Sequence, residues 1–319
     1  MALSARLQEL DAPLVIVGDQ KGPDTYDLPG TIFLDLATQI KGRFNLSRAL
    51  PVGHYSRKNV GYLEAVARGA NCIFETDDDN RPLPLWHPRA RYIDAHRVSG
   101  NGWINVYRCF SRERIWPRGF PLDELAGSFQ GSPAVADCSE RIQAPIQQGL
   151  ANNSPDVDAI WRLILDAPFD FESGPSILIP AGAWCPFNSQ CTWWWPEVYP
   201  LLYLPSYCSF RMTDIWRSFI AQRCLWELDC GVVFHAPEVI QDRNPHDLMR
   251  DFNDEIPGYQ RNRDLASTLE NLALRSGEEH VSENLRLCYA ALIECDFFPT
   301  KELELVDLWL KDLANVCAA

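Results

Sequence analysis

The sequence has no surplus of basic residues, no apolar run approaching the ~20 residues that a bilayer-spanning helix needs, and no cysteine pair at Cys-x-x-Cys spacing. Each absence removes a class of function. With 29 Lys and Arg against 43 Asp and Glu, the formal net charge is −14, which argues against sequence-independent nucleic-acid binding through clustered cations. Small anionic ligands remain open, because a bound metal or a local basic cluster reverses the field where it sits. The opening "MALSARLQELDAPL" carries two early acids and no long apolar core, so it does not read as a secretory leader. With no spanning segment either, the expectation is a soluble, cytoplasmic chain. The 11 cysteines are odd in number, and Cys185/Cys191 and Cys224/Cys230 each lie six apart, a spacing of no familiar zinc site. Most stand in apolar runs such as "LRLCYAALIEC". They read as reduced, buried thiols of a reducing compartment. Internal repeats and low-complexity segments are also missing.

What is present is ordinary globular material, 46% hydrophobic and 23% charged, enough for a substantial core. The 11 Trp and 23 Pro point to long ordered loops and broad aromatic surfaces around a cleft. Leu14 to Val17 is a continuous apolar run stopped by Gly18-Asp19, the pattern of a buried parallel strand. Residues 31–40 form a second apolar piece, strand or helix. "RKNVGYLEAVARGA" has helical spacing through Val60, Leu63 and Ala67 with a stop at Gly69. A short strand, "NCIFE", then runs into acids. Strand, helix, strand argues for an α/β unit, whose ligands bind outside the carboxyl ends of the strands. A helix is expected over 211–228, capped by Thr213 or Asp214, and another over 244–259, ended by Pro257. Beyond 260 the texture changes to amphipathic helices, so the chain divides into residues 1–260 and a helical region, 261–319, that offers a candidate oligomer interface.

"CIFETDDDNRPLP" (72–84) poses the main chemical question, since Asp77, Asp78 and Asp79 are adjacent like charges. Hard divalent cations prefer carboxylate oxygens and keep positions for substrate phosphates. Asp77 and Asp79 are therefore candidate ligands, either holding one ion together or dividing ion and ribose between them. A solvated turn before Asn80 and Pro82 is the plain alternative. Arg57, Lys58 and Asn59 stand at a helix start, where backbone N–H groups favour anions. In "RMTDIWRS", Asp214 is either a helix cap or a general base. In "QDRNPHDL", His246 is a cation ligand, a phosphate contact or a packed histidine. Trp184 and Trp193–Trp195 are sugar-stacking platforms or core.

These blocks resemble the nucleotide-sugar half of GT-A glycosyltransferases, in which an Asp-x-Asp motif after a strand binds Mn²⁺ or Mg²⁺ and the sugar-nucleotide diphosphate. More specifically, the chain resembles the STELLO-like glycosyltransferases. The resemblance rests on "VGDQKGP", "YSRKNVGYLEA", "ETDDDN", "IWPRGFPL", "PIQQGLANNSPDVDAIWRL", "PFNSQCTWWW", "SFRMTDIWRSFIAQRCLWE" and "QDRNPHDLMRDFNDE", spread over roughly residues 14 to 258. A more distant likeness, in short blocks only, is to the reversibly glycosylated proteins, the UDP-arabinopyranose mutases. It rests on the triple Asp, on Arg118-Gly119-Phe120-Pro121 and on Gly149-Leu150 with Pro155-Asp156-Val157-Asp158-Ala159.

The resemblance implies a GT-A, Rossmann-like fold, with a mixed, mostly parallel sheet flanked by helices and a C-terminal helical extension. It implies a divalent-metal-dependent enzyme, with Mn²⁺ or Mg²⁺ as cofactor. The donor is a nucleotide-diphosphate sugar, a UDP-sugar foremost, and the acceptor a carbohydrate or other hydroxyl compound. Gly18, Asp19 and Lys21 line the nucleoside pocket on this reading, and Arg57, Lys58 and Asn59 contact ribose or pyrophosphate. Asp77 and Asp78 face the nucleotide sugar, while Asp77 and Asp79 hold the metal with His246 as third ligand. Asp214 serves the acceptor side, and Arg118 and Arg211 serve the donor. A nucleotide-sugar mutase and a non-catalytic scaffold of the same fold are the rival readings. STELLO proteins are anchored in the Golgi membrane, so a longer, anchored form would place this region in the Golgi lumen.

Overall fold

The computed structural model describes residues 2–84, 86–165 and 167–317. It begins with α1 (Ala2–Glu9), β1 (Leu14–Val17), β2 (Thr31–Leu34), α2 (Leu36–Lys41), α3 (Asn45–Ala49), α4 (Lys58–Ala67) and β3 (Ile73–Thr76). There follow β4 (Asn80–Pro82), β5 (Tyr92–Arg97), β6 (Gly102–Trp103), α5 (Leu125–Ser128), β7 (Glu140–Gln143), β8 (Ile146–Asn152), α6 (Ala159–Leu165), β9 (Ile177–Ile179), β10 (Ala183–Trp184) and β11 (Cys191–Trp194). The last part holds α7 (Thr213–Trp226), β12 (Val232–Gln241), α8 (Leu248–Glu270), α9 (Val281–Glu294) and α10 (Lys301–Cys317).

The main sheet runs β3-β11-β8-β12-β9-β5-β7, with β4 paired to the end of β12. It is mixed. β8 and β12 are parallel, and β3 points the same way because β11 lies antiparallel to both β3 and β8. The carboxyl ends of β3, β8 and β12 therefore share one edge, where an open α/β sheet places its ligands. The α/β, Rossmann-like expectation thus agrees with the architecture. β1 and β2 pair in parallel as a small sheet of their own. That explains why β1, expected to be buried, is only half-buried along its length. Residues 31–40 are both things expected of them, a strand and then a helix.

Two helix boundaries differ from expectation. Pro257 does not end α8, which runs through it and through residue 260. Proline removes one backbone donor, yet the helix keeps a buried face in Leu265, Ala266 and Leu269 that rewards continuation. Neither Thr213 nor Asp214 caps α7; both lie inside its first turn, and Asp214 is committed elsewhere. The helices after 270 turn their apolar faces inward: Leu285, Tyr289, Leu292, Leu305, Trp309 and Leu313 are buried. Trp184, Trp193, Trp194 and Trp195 are core as well, and the indoles of Trp184, Trp193 and Trp194 donate to Glu270, Glu238 and Glu75 respectively. They are therefore not sugar platforms. Cys185, Cys191, Cys224 and Cys288 are buried, Cys138, Cys295 and Cys317 are exposed, and all 11 thiols are unbridged. Among the described residues no helix is long and apolar enough to cross a membrane.

The C-terminal helix is fastened by a remote cap. Helix α3 has no side-chain cap of its own. Asp312 of α10 supplies one, accepting from Leu46 N at 2.8 Å and from Asn45 Nδ2 at 3.1 Å. Asp312→Ala is expected to reduce unfolding free energy in urea by ~1–2 kcal/mol, the range of a lost helix cap. A change below ~0.5 kcal/mol would show the contact to be incidental.

Candidate active-site cleft

A cleft of about 250 Å³ opens at the shared carboxyl edge of β3, β8 and β12. Its floor and one wall come from the turn after β3, with Asp77, Asp78 and Asp79, together with Tyr55, Asn188 and Gln190. The opposite wall carries Arg118, Arg211 and Arg243 with Asp156, Asp214 and His246.

The acidic wall is under-neutralised. Lys58 Nζ donates to Asp77 Oδ1 at 2.9 Å and to the Tyr55 hydroxyl at 3.0 Å, and sits 3.8 Å from buried Glu75. Burial pulls the Lys58 pKa down, but Asp77, Tyr62 and Glu75 more than offset this, and the ammonium is held charged. Tyr55 donates to Asp77 at 2.8 Å and bonds the Ser189 hydroxyl. Asp79 receives only amide donors: Gln241 Nε2 lies 3.2 Å from each of its oxygens. Burial raises the Asp79 pKa, and the charges of Asp77 and Asp78 raise it further, against the lowering by Gln241. Asp78 is exposed. Of the three carboxylates at this strand end, Lys58 reaches Asp77 alone.

The basic wall is organised by Arg118. Its guanidinium lies between two carboxylates, Asp156 (2.8 and 2.9 Å) and Asp214 (3.0 and 2.9 Å), and also donates to the Arg211 carbonyl. Gly119 makes this approach workable. Its φ is +89°, a left-handed conformation that glycine adopts without strain, and an added Cβ would overlap Ile215. Burial alone would raise the Asp214 pKa; Arg118 outweighs that and holds it well below the usual carboxylate range. Ser189 adds donors from its N–H and hydroxyl, each 3.3 Å from Asp214 Oδ2. A carboxylate so fully engaged is a weak base, so Asp214 is better suited to positioning Arg118 than to deprotonating an acceptor. Arg211 pairs with Glu255 at 2.8 Å, and Arg243 with Asp251 at 2.7 Å.

Several expected site residues stand elsewhere. Arg57 is buried and donates to Gln39, Ser47 and Leu50; Asn59 clamps the backbone of Leu204 from both sides. Both side chains are spent inside the fold, Arg57 on the Gln39 side chain and two backbone carbonyls and Asn59 on the carbonyl and N–H of Leu204. Asp19 accepts from the N–H groups of Gly53 and His54 at 2.9 Å each, which sets up Tyr55, while Gly18 and exposed Lys21 lie beyond the cleft lining. His246 does line the cleft, but its Nδ1 faces Asp251 at 3.0 Å. Asp77, Asp79 and His246 do not converge: no three-ligand His, Cys, Asp or Glu cluster exists among the described residues. Tyr55, Asp156, Asn188, Ser189, Gln190, Phe210, Gln241 and Arg243 are contributors not expected from the sequence. Tyr55, Gln241 and Arg243 stand inside motifs already singled out, "YSRKNVGYLEA" and "QDRNPHDL".

Residues 211–318 match the family model described as STELLO glycosyltransferases. That segment contributes Arg211, Asp214, Arg243 and His246 to the cleft. Over 95% of its length the chain is 28% identical to "Probable glycosyltransferase STELLO2" of Arabidopsis thaliana and 27% identical to "Probable glycosyltransferase STELLO1" of the same plant. The chain is STELLO-like. The STELLO-like region spans 41% of the length of each of these two relatives, and it includes the acidic wall as well as the arginine wall.

Proposed function

We propose that the cleft binds a nucleotide-diphosphate sugar together with a divalent cation and transfers the sugar to a hydroxyl acceptor. The observation that carries this reading is the charge imbalance at the end of β3, three adjacent carboxylates of which only Asp77 is paired with a lysine, at the sheet edge where such ligands bind. The donor set fits a hard cation. Asp77 and Asp79 offer oxygen ligands, and ions of this kind are held by one or two carboxylates with the remaining positions left to phosphates and water, so a closed three-residue cage is not required. Mn²⁺ or Mg²⁺, when bound, would neutralise charge that builds on the leaving diphosphate. Lys58 orients Asp77. Tyr55 and Ser189 tie that wall to Asp214, and through it to Arg118. Held between Asp156 and Asp214 and bonded to the Arg211 carbonyl, Arg118 has its donors spent within the wall, so its part is to fix the two carboxylates and Arg211 in place around the donor. The names of the relatives support the reaction class; the cleft supports the donor class, with uridine as the favoured base.

Calorimetric titration with UDP- and GDP-sugars is the direct test. Binding is expected with Mn²⁺ or Mg²⁺ and is expected to vanish in EDTA. Equal heats in EDTA would remove the cation from the reading, and silence across a nucleotide-sugar panel would remove the donor.

A further inference from the structure

The large aromatics of this chain are mostly core, yet Phe210 is 52% exposed at the cleft. Its ring stands edge-on to Tyr55, with centroids 5.9 Å apart at 73°, and to His54, at 6.4 Å and 77°. The flat face of an aromatic ring packs by dispersion against the C–H face of a pyranose. The next residue on the same short turn, Arg211, enters the arginine wall.

Arg211 and Arg243 differ from Arg118, which two carboxylates already saturate. Each has one carboxylate partner, Glu255 and Asp251, four positions apart on α8, so one helix face holds both guanidinium groups in place. Burial, and then the charge of Arg211, lower the Arg243 pKa; two like charges are crowded in a partly dry wall. Their hydrogen bonds lead to α8 rather than to the acidic triplet or Lys58. An entering anion relieves that crowding, and a planar guanidinium fork suits carboxylate and phosphate oxygens alike.

We propose that Phe210, Arg211 and Arg243 form a second subsite that takes an anionic sugar, a pyranose bearing a carboxylate or a phosphate, with its ring on Phe210 and its anionic group at the two arginines. This moves Arg211 from the donor side to the acceptor side. The assignment as acceptor rests on the nucleotide-sugar reading; the binding itself does not. The test titrates glucose, glucuronate and glucose 6-phosphate into the protein, with and without saturating UDP and Mn²⁺. At least one anionic sugar is expected to bind at least about tenfold more tightly than glucose, ~1.4 kcal/mol, in the presence of UDP as in its absence. The stronger arm identifies carboxylate or phosphate. Arg243→Gln is expected to erase the preference and leave UDP affinity unchanged; Phe210→Ala, at an exposed position that tolerates change, weakens all three sugars. Equal binding of charged and neutral sugars overturns the subsite. So does displacement of the anionic sugar by UDP, with Arg243→Gln weakening UDP, since the arginines would then belong to the diphosphate. If UDP never binds but the anionic preference persists, the subsite stands and the donor reading alone falls.

Discussion

Arg118→Ala is expected to remove about 3–5 kcal/mol of stability, the range for breaking one side of a buried ion pair, and to abolish turnover. The reason is the number of charges left behind. Arg118 is the shared counter-ion of Asp156 and Asp214, and all three side chains are largely buried. Without it, burial acts on Asp214 against Arg217 and Arg211 alone and is expected to push its carboxyl upward. This gives a pH signature. In the parent, the depressed Asp214 pKa contributes stability that is present above the ordinary carboxylate range and is lost only as pH falls below it. In the variant the sign reverses, and stability declines as pH rises through the elevated value. Urea unfolding followed by circular dichroism at pH 5 and pH 8 reads the difference. Arg118→Lys keeps a charge but cannot make a two-bond pair with each carboxylate; it is expected to stay folded and still lose turnover. An alanine variant within ~0.5 kcal/mol of the parent would show that the clamp is not structural.

How much of this was readable in advance follows from the range of the interactions. β1, α4 and β3 were legible because apolar runs and helical spacing are local, and Gly69, at φ +82°, ends α4 as its position suggested. The acidic triplet was legible because a strand end and three acids are contiguous. The partners of site side chains were not. Arg57 and Lys58 are neighbours in sequence, but the first turns into the core toward Ser47 and Leu50 while the second reaches Asp77; which way each goes depends on the packing of α3 and β3. Asp214 looked like a cap until Arg118, 96 positions earlier, claimed it. Pro257 reads as a stop because the missing backbone donor is a local feature, whereas the buried face of Leu265, Ala266 and Leu269 that overrides it is set by tertiary packing. The aromatic runs mislead for a related reason: a Trp cluster fills a core as readily as it lines a groove, and the exposed ring at the cleft is Phe210.

Asp79→Asn is expected to separate function from stability. Turnover should fall on the order of 100-fold or more, the scale of losing one preorganised electrostatic contact in a transition state, while the fold becomes as stable as the parent or more so. Asp79 is ionised at a cost: burial and the charges of Asp77 and Asp78 raise its pKa. A raised carboxyl favours the fold while protonated, and that contribution is lost as pH rises from the ordinary carboxylate range through the raised value. Asparagine keeps the shape and never ionises, so at neutral pH the variant escapes the repulsion. Such a residue, strained alone and needed only with its ligand, is the usual form of a stability–activity trade-off. Asp77→Asn should behave in the opposite way, because it strips the close carboxylate from Lys58, whose side chain is only 19% exposed, and so lowers stability. Thermal shifts with and without Mn²⁺ complete the comparison: the parent gains apparent stability with the ion, since a ligand that binds only the native state raises it, and Asp79→Asn does not. Undiminished turnover in Asp79→Asn would reduce the triplet to an ordinary acidic turn. A loss of more than ~1 kcal/mol with turnover intact would mean that the Gln241 contact, rather than a cation, is what Asp79 is for.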